Sequence, residues 1–258
     1  MKILAVGGGS GGHVTPIVAV LDEVLAKEPN AEIRVWCDKG YEQQTRDALI
    51  KYGQGIYVQI VIAGKLRRLY DFPLWRQLLR VRTVVIPNII DIGKLFVGVI
   101  QSLFRMIAWR PDVVFCKGGF VSLPVGYAAA MLGIPIVLHD SDTVPGLSNR
   151  LLAGRANKIL TGATVDHYPY ALEKMSYVGI PIRSIFTPPS ITQQKKSKEN
   201  LGFDSVRPLV VVTGGGLGAM PVNDALTQIL DRLLAEANVL LLSGDFQYKD
   251  IKIKTESY

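Results

Sequence analysis

Residues 2–13 read KILAVGGGSGGH, and this stretch decides the fold. An apolar run, Ile3 to Val6, ends on glycines, which is how a buried parallel strand hands over to a crossover helix. Glycines at 7, 8, 9, 11 and 12 let backbone N–H groups approach a phosphate closely. A helix expected to begin near Thr15-Pro16 would aim its positive end at the same place, so the loop suits a pyrophosphate or a developing oxyanion. Gly7, Gly9 and Gly12 also satisfy the dinucleotide fingerprint, with Asp38 where a ribose-binding acid would stand, which keeps an NAD-dependent oxidoreductase open. His13 is one of three histidines; at the mouth of the sheet its imidazole could take a proton from an incoming hydroxyl, or it could be a satisfied structural histidine.

Outward from this loop, apolar runs bounded by Gly or Pro alternate with helical stretches. A helix is expected over 17–27, followed by the strand EIRVWCD and a helical stretch from Glu42. Later strands are VQIVIA from Val58, DVVFCKGG from Asp112, PIVLHD from Pro135 and NKILTGA from Asn157, with helices over 123–132 and 146–153. The alternation predicts an α/β, doubly wound Rossmann-like domain over 1–187 that binds ligands at the carboxyl ends of its strands. The polar stretch 188–208 reads as a linker with a short helix in it. LVVVTGGGLGA then restarts the pattern over 209–258, with a helix over 222–236 and the strand NVLLLSG. Only 14 residues follow Gly244, whereas a second doubly wound domain needs roughly a hundred more, so this half is expected to be an incomplete start and the sequence looks truncated. Gly118-Gly119 and the cluster 214–218 are further glycine turns; three such turns suit a ligand with several phosphates, or two ligands.

The net charge of +7 is concentrated between Gly64 and Arg110, where Lys65, Arg67, Arg68, Arg76, Arg80, Arg82, Lys94, Arg105 and Arg110 face only Asp71 and Asp91. Ile92, Leu95, Phe96, Val99, Ile100, Leu103, Phe104 and Ile107 form a helical stripe in the same segment, either core or membrane-facing. Its longest uncharged run, 95–104, is too short to span a bilayer. Leu66, Leu69, Phe72, Leu74 and Trp75 interleave with Arg67, Arg68 and Arg76, the composition of a surface lying among anionic headgroups. The aromatics do not form a stacking platform, which argues against nucleic acid. Cys37 and Cys116 end buried strands and read as reduced core thiols, not as a disulfide or metal site. The amino terminus lacks the pattern of a signal peptide, so a cytoplasmic protein is expected.

GGGSGGHVTP, KGGFVSLP, LHDSDTVPGLSNRL, VGIPIR and VVTGGGLGA resemble, in order, the signatures of the MurG family, GT-B glycosyltransferases of family 28. The resemblance implies a GT-B fold and inverting transfer of N-acetylglucosamine from UDP-GlcNAc to the 4-hydroxyl of lipid I, the undecaprenyl-pyrophosphoryl-MurNAc-pentapeptide, making lipid II for peptidoglycan. It implies no cofactor, no catalytic metal, and a peripheral place on the cytoplasmic face of the plasma membrane. Ser10, Gly11 and Gly12 would lie against donor or acceptor phosphates, His13 would be the base, and Gly118-Gly119 and Asp142 would line the cleft. Arg183 would meet the donor from the linker side, Gly215, Gly216 and Gly218 would approach its diphosphate, and Asn223 would stand nearby. The chain departs from the family at Asp142, usually Asn, which adds a charge near a polyphosphate unless a base compensates. It departs again at Gly216 and Leu217, where a hydroxyl residue and Gln are usual, and at Phe120, usually Tyr. The family's ribose-reading acid and sugar-holding glutamines fall beyond Tyr258. The alternative that follows is a truncated, inactive module that binds lipid-linked pyrophosphate at the membrane.

Overall fold

The computed structural model describes residues 1–9, 11–66, 79–215 and 218–255. They group into two compact units, Met1–Phe186 and Thr187–Tyr258.

The first unit is a seven-stranded sheet in the order β3-β2-β1-β4-β5-β6-β7, parallel throughout. The strands are β1 (Lys2–Val6), β2 (Glu32–Cys37), β3 (Ile56–Ile60), β4 (Val113–Cys116), β5 (Ile136–Asp140), β6 (Lys158–Thr161) and β7 (Met175–Tyr177). The helices are α1 (Gly11–Lys27), α2 (Glu42–Leu49), α3 (Ile86–Ala108), α4 (Ser122–Met131) and α5 (Leu147–Ala153). Side chains of β1 alternate between two cores. Ile3 and Ala5 join Ile17, Val18 and Leu21 of α1, while Leu4 and Val6 pack with Val125, Ala128 and Ala129 of α4 and Met106 of α3. Both faces being covered, the strand is apolar throughout, which is the sequence property that marked it. Chain order reverses between β1 and β4, so their carboxyl ends part and open a crevice.

The main departures from expectation are these. Helix α1 begins at Gly11, so His13 lies in its first turn and Thr15-Pro16 lies inside it. Strand β3 ends at Ile60 instead of continuing to Ala63. The short strand β7 was not foreseen, three residues being too few to carry an alternation. Both cysteines are buried free thiols.

Helix α3 has two faces. Gly98 lets it close on the Ile62 carbonyl, which a Cβ would overlap. Gln101 Oε1 accepts from the Ile62 amide at 2.9 Å, and Arg105 Nη1 donates to the Ile60 carbonyl at 2.7 Å. Leu95 and Leu103 pack against the core. The opposite face leaves Ile89, Ile92, Phe96, Ile100, Phe104 and Ile107 exposed, so the expected stripe is divided between core and solvent. The helical run Val81–Ala108 is, by length and composition alone, long and apolar enough to cross a membrane, while its uncharged run 95–104 by itself is not. Of its charges, Asp91 is buried and paired with Lys94 at 2.9 Å, Arg105 turns inward, and Arg82 and Lys94 are exposed. Of the basic-aromatic surface, Leu66 is half-buried; Arg67, Arg68, Leu69, Phe72, Leu74, Trp75 and Arg76 lie outside the described residues.

The second unit pairs β8 (Leu209–Thr213) with β9 (Asn238–Leu242) in parallel. Around them are α6 (Ile191–Asn200), α7 (Met220–Glu236) and α8 (Tyr248–Thr255). The stretch read as a linker contains α6, whose start is closed by a reciprocal capping box between Ser190 and Gln193.

Candidate functional site

The crevice is built from the turns after β1 and β4. The Gly7 amide still donates to the Trp36 carbonyl at 3.2 Å, and the chain then bends at Gly9, whose φ of +79° suits glycine. Asp38, at the end of β2, holds this bend: Oδ1 accepts from the Gly9 amide at 2.7 Å and Oδ2 from the Gly40 amide at 3.0 Å. Asp38 is thus a brace of the turn. Ser10 lies outside the described residues. Gly11 and Gly12 are exposed in the first turn of α1, where early amides have no intrahelical acceptor and the helix end is positive.

From the other side, Gly118 (φ +108°) and Gly119 (φ +80°) bring the second turn against the first. A Cβ on Gly119 would overlap the Gly8 carbonyl oxygen and lie 3.1 Å from His13 Cδ2; one on Gly118 would lie 3.5 Å from His13 Cε1. The imidazole is therefore enclosed between the two turns. Its Nδ1 is buried and makes no hydrogen bond with a described residue. Burial lowers its pKa most, the Lys117 charge lowers it further, and Asp142 and Asp38 oppose. His13 is thus held uncharged near neutrality, with a nitrogen free to accept a proton. Phe120 packs on the turn, 2.8 Å from where a Cβ on Gly9 would stand.

Lys117, Asp140, Ser141 and Asn149 are site residues that sequence reasoning did not single out. The Lys117 side chain is buried and donates to Ser141 Oγ at 2.8 Å. Asp140 is buried, accepting from Tyr170 Oη at 2.7 Å. Burial raises its pKa most, while hydrogen bonds from Tyr170 and Asn149 act to lower it. Asn149, in α5, has a buried Oδ1 without a partner among the described residues, 3.2 Å from where a Cβ on Gly118 would lie. Asp142 is exposed above them. Two buried polar atoms without a partner among the described residues, His13 Nδ1 and Asn149 Oδ1, border one glycine-lined crevice, where a polar ligand would satisfy them.

Arg183 does not join this group. Its Nε pairs with Asp22 Oδ2 at 3.4 Å, well along α1 from His13. Asn223, expected beside a diphosphate, is buried in the second unit. Its Nδ2 donates to the Ser243 carbonyl at 3.0 Å and to Gln247 Oε1 at 2.7 Å, so the amide ties α7 to the turn after β9. Gly218 is required by packing, because a Cβ there would overlap the Ser243 carbonyl oxygen. Gly215 (φ +83°) faces open space and borders a cavity of about 570 Å³ at the carboxyl ends of β8 and β9, lined also by Thr213, Gly244, Asp245 and Tyr248. Gly216 and Leu217 lie outside the described residues.

A glycine turn, a helix amino terminus and an uncharged histidine meet at the switch point of a doubly wound sheet, an arrangement suited to a phosphate-bearing ligand. Residues 3–161 match the glycosyltransferase family 28 N-terminal domain, and the chain belongs to that family. It is 34% identical over 258 residues to the UDP-N-acetylglucosamine–N-acetylmuramyl-(pentapeptide) pyrophosphoryl-undecaprenol N-acetylglucosamine transferase of Legionella pneumophila (strain Paris), covering 100% of this chain and 65% of that protein. It is 36% identical over 245 residues to the like-named protein of Shouchella clausii (strain KSM-K16), covering 94% of this chain and 62% of the relative. The chain therefore spans under two thirds of the length of these relatives. The crystal structure of Acinetobacter baumannii MurG aligns with a TM-score of 0.63 at 20% identity, covering 99% of this chain and 64% of that one, and shares its GT-B fold.

Proposed function

We propose that the chain acts in inverting transfer of N-acetylglucosamine from UDP-GlcNAc to the 4-hydroxyl of lipid I, forming lipid II in peptidoglycan synthesis. The observation that carries this reading is the enclosed His13, uncharged and with Nδ1 unpartnered among the described residues, between two glycine turns. As the acceptor oxygen forms its bond to the anomeric carbon, His13 takes the hydroxyl proton, and the bond from that carbon to the phosphate oxygen breaks to release UDP. First-turn amides of α1 and the backbone around Gly118-Gly119 receive the pyrophosphate. The family relationship supports the substrates, through the printed names of the relatives. The exposed apolar stripe of α3 supports a peripheral place on a membrane, where a lipid-linked acceptor would be presented.

The test supplies the purified chain with labelled UDP-GlcNAc and lipid I in anionic vesicles. Where label is transferred to lipid II, His13→Ala should lower the rate by about 10²–10⁴-fold while lipid I still binds. An unchanged rate in that variant would remove His13 as the base. A narrower reading, binding of lipid-linked pyrophosphate without transfer, is favoured by the enclosed cluster lying wholly within the first unit; binding without label transfer would select it.

A further inference from the structure

Lys117 follows β4 directly and is only 2% exposed, a depth at which lysine is rarely found without a dedicated role for its charge. Behind it runs a directional chain of hydrogen bonds. The Gly179 carbonyl can only accept, so His139 Nε2 carries the proton and donates to it at 3.0 Å. The bare Nδ1 of His139 then accepts from Ser141 Oγ at 3.4 Å. The lone pairs of Ser141 are left facing Lys117, whose Nζ donates at 2.8 Å. His139 is fully buried; burial first and the Lys117 charge second hold its pKa at about 4, so the accepting ring is neutral at physiological pH.

The crevice side of Lys117 is acidic. Burial lowers its pKa, and the charges of Asp142 and Asp140 act to raise it. Asp142 is exposed and adds a negative charge where the proposed function places a polyphosphate. We propose that Lys117 is a positioning residue of the crevice, a buried ammonium that offsets the carboxylate of Asp142, fixes Ser141 and His139 behind it, and sets the electrostatic field at His13. The proposal deepens the reading of His13 as the base and rests on it. The charged and titratable groups facing His13 are Lys117 from the end of β4, Asp142 from the turn after β5 and Asp38 from the end of β2. Those facing Lys117 are His139, Asp140 and Asp142 from the end of β5, with Tyr170 closing over Asp140.

The experiment is an NMR pH titration of the histidine rings in the whole chain, compared among wild type, Lys117→Met, Asp142→Asn and the double variant. Lys117→Met should raise the midpoint of His13 by about half a unit or more, and Asp142→Asn should lower it by a similar amount. In the double variant the two shifts should largely cancel. Because replacing a buried lysine can cost folding, the Lys117 side-chain midpoint is also followed in Asp142→Asn, where an exposed residue is changed; it should fall. A His13 midpoint unmoved by a folded Lys117→Met, or a Lys117 midpoint indifferent to Asp142→Asn, would overturn the proposal. Sugar transfer is not read in this titration. An inactive chain with the expected shifts would refute only the transferase reading, whereas flat titrations in an active chain would remove only the role of Lys117.

Discussion

Replacing Phe96 and Phe104 together by Ala tests the membrane face of α3. The two rings are 66% and 70% exposed and stand on the same side of the helix. A phenylalanine presents roughly 200 Å² that can be buried, so about 130 Å² of each ring is available to a bilayer. At about 25 cal/mol per Å², complete immersion would contribute about 3 kcal/mol per ring, and an interfacial position, with half of that surface still wet, about 1.5. The pair then accounts for about 3 kcal/mol, or roughly a hundredfold in affinity. The assay is co-sedimentation of the chain with phosphatidylglycerol-containing vesicles over a lipid titration. The double variant should bind roughly a hundredfold more weakly, with its urea midpoint nearly unchanged because neither ring is in the core. Equal binding by variant and wild type would refute the placement of this face in the membrane.

Gly119→Ala should destabilise the first unit by about 2–4 kcal/mol, because it puts a side chain at φ +80° and drives a Cβ into the Gly8 carbonyl. Tryptophan emission during urea unfolding reports this unit alone, since all three tryptophans lie in it. Stability should also fall on acidification through His139. Its folded pKa of about 4 is below the ordinary 6.5, so between these values the unfolded chain binds more protons and stability rises with pH. The full window contributes about 3 kcal/mol, and His139→Gln should flatten that part of the stability–pH curve relative to wild type.

The strands of the first unit up to β6 were legible because a sheet covered on both faces demands continuous apolar runs, and glycines mark where these end. Strand β7, only Met-Ser-Tyr, carries no such pattern. The start of α1 was misplaced because two glycines are poor helix formers and Pro16 resembles a first-turn proline; the tertiary packing of Ile17, Val18 and Leu21 overrides both. Asp38 was ambiguous in kind, since a ribose reader and a brace for a glycine bend both call for an acid at the end of β2. The glycine turn and His13 could be found from spacing. Lys117 could not, because lysine is ordinarily a surface residue and nothing in KGGF marks it as enclosed. Asn223 and Gly218 were assigned to a ligand by resemblance, yet the turn after β9 occupies the Asn223 amide nitrogen and the space beside Gly218.

On the proposed function, the division of α3 into an inner and an outer face bears on how a lipid-linked acceptor would reach the crevice. A crossover helix runs antiparallel to the strands it joins, so a bilayer seated along the outer face of α3 lies beside the sheet, not beneath one end of it. The carboxyl ends of β1, β4 and β5 then open along the plane of the headgroups. An acceptor anchored by its tail would arrive by lateral diffusion at the height of its own pyrophosphate, a two-dimensional search in which encounter depends on its surface density and not on its concentration in bulk water.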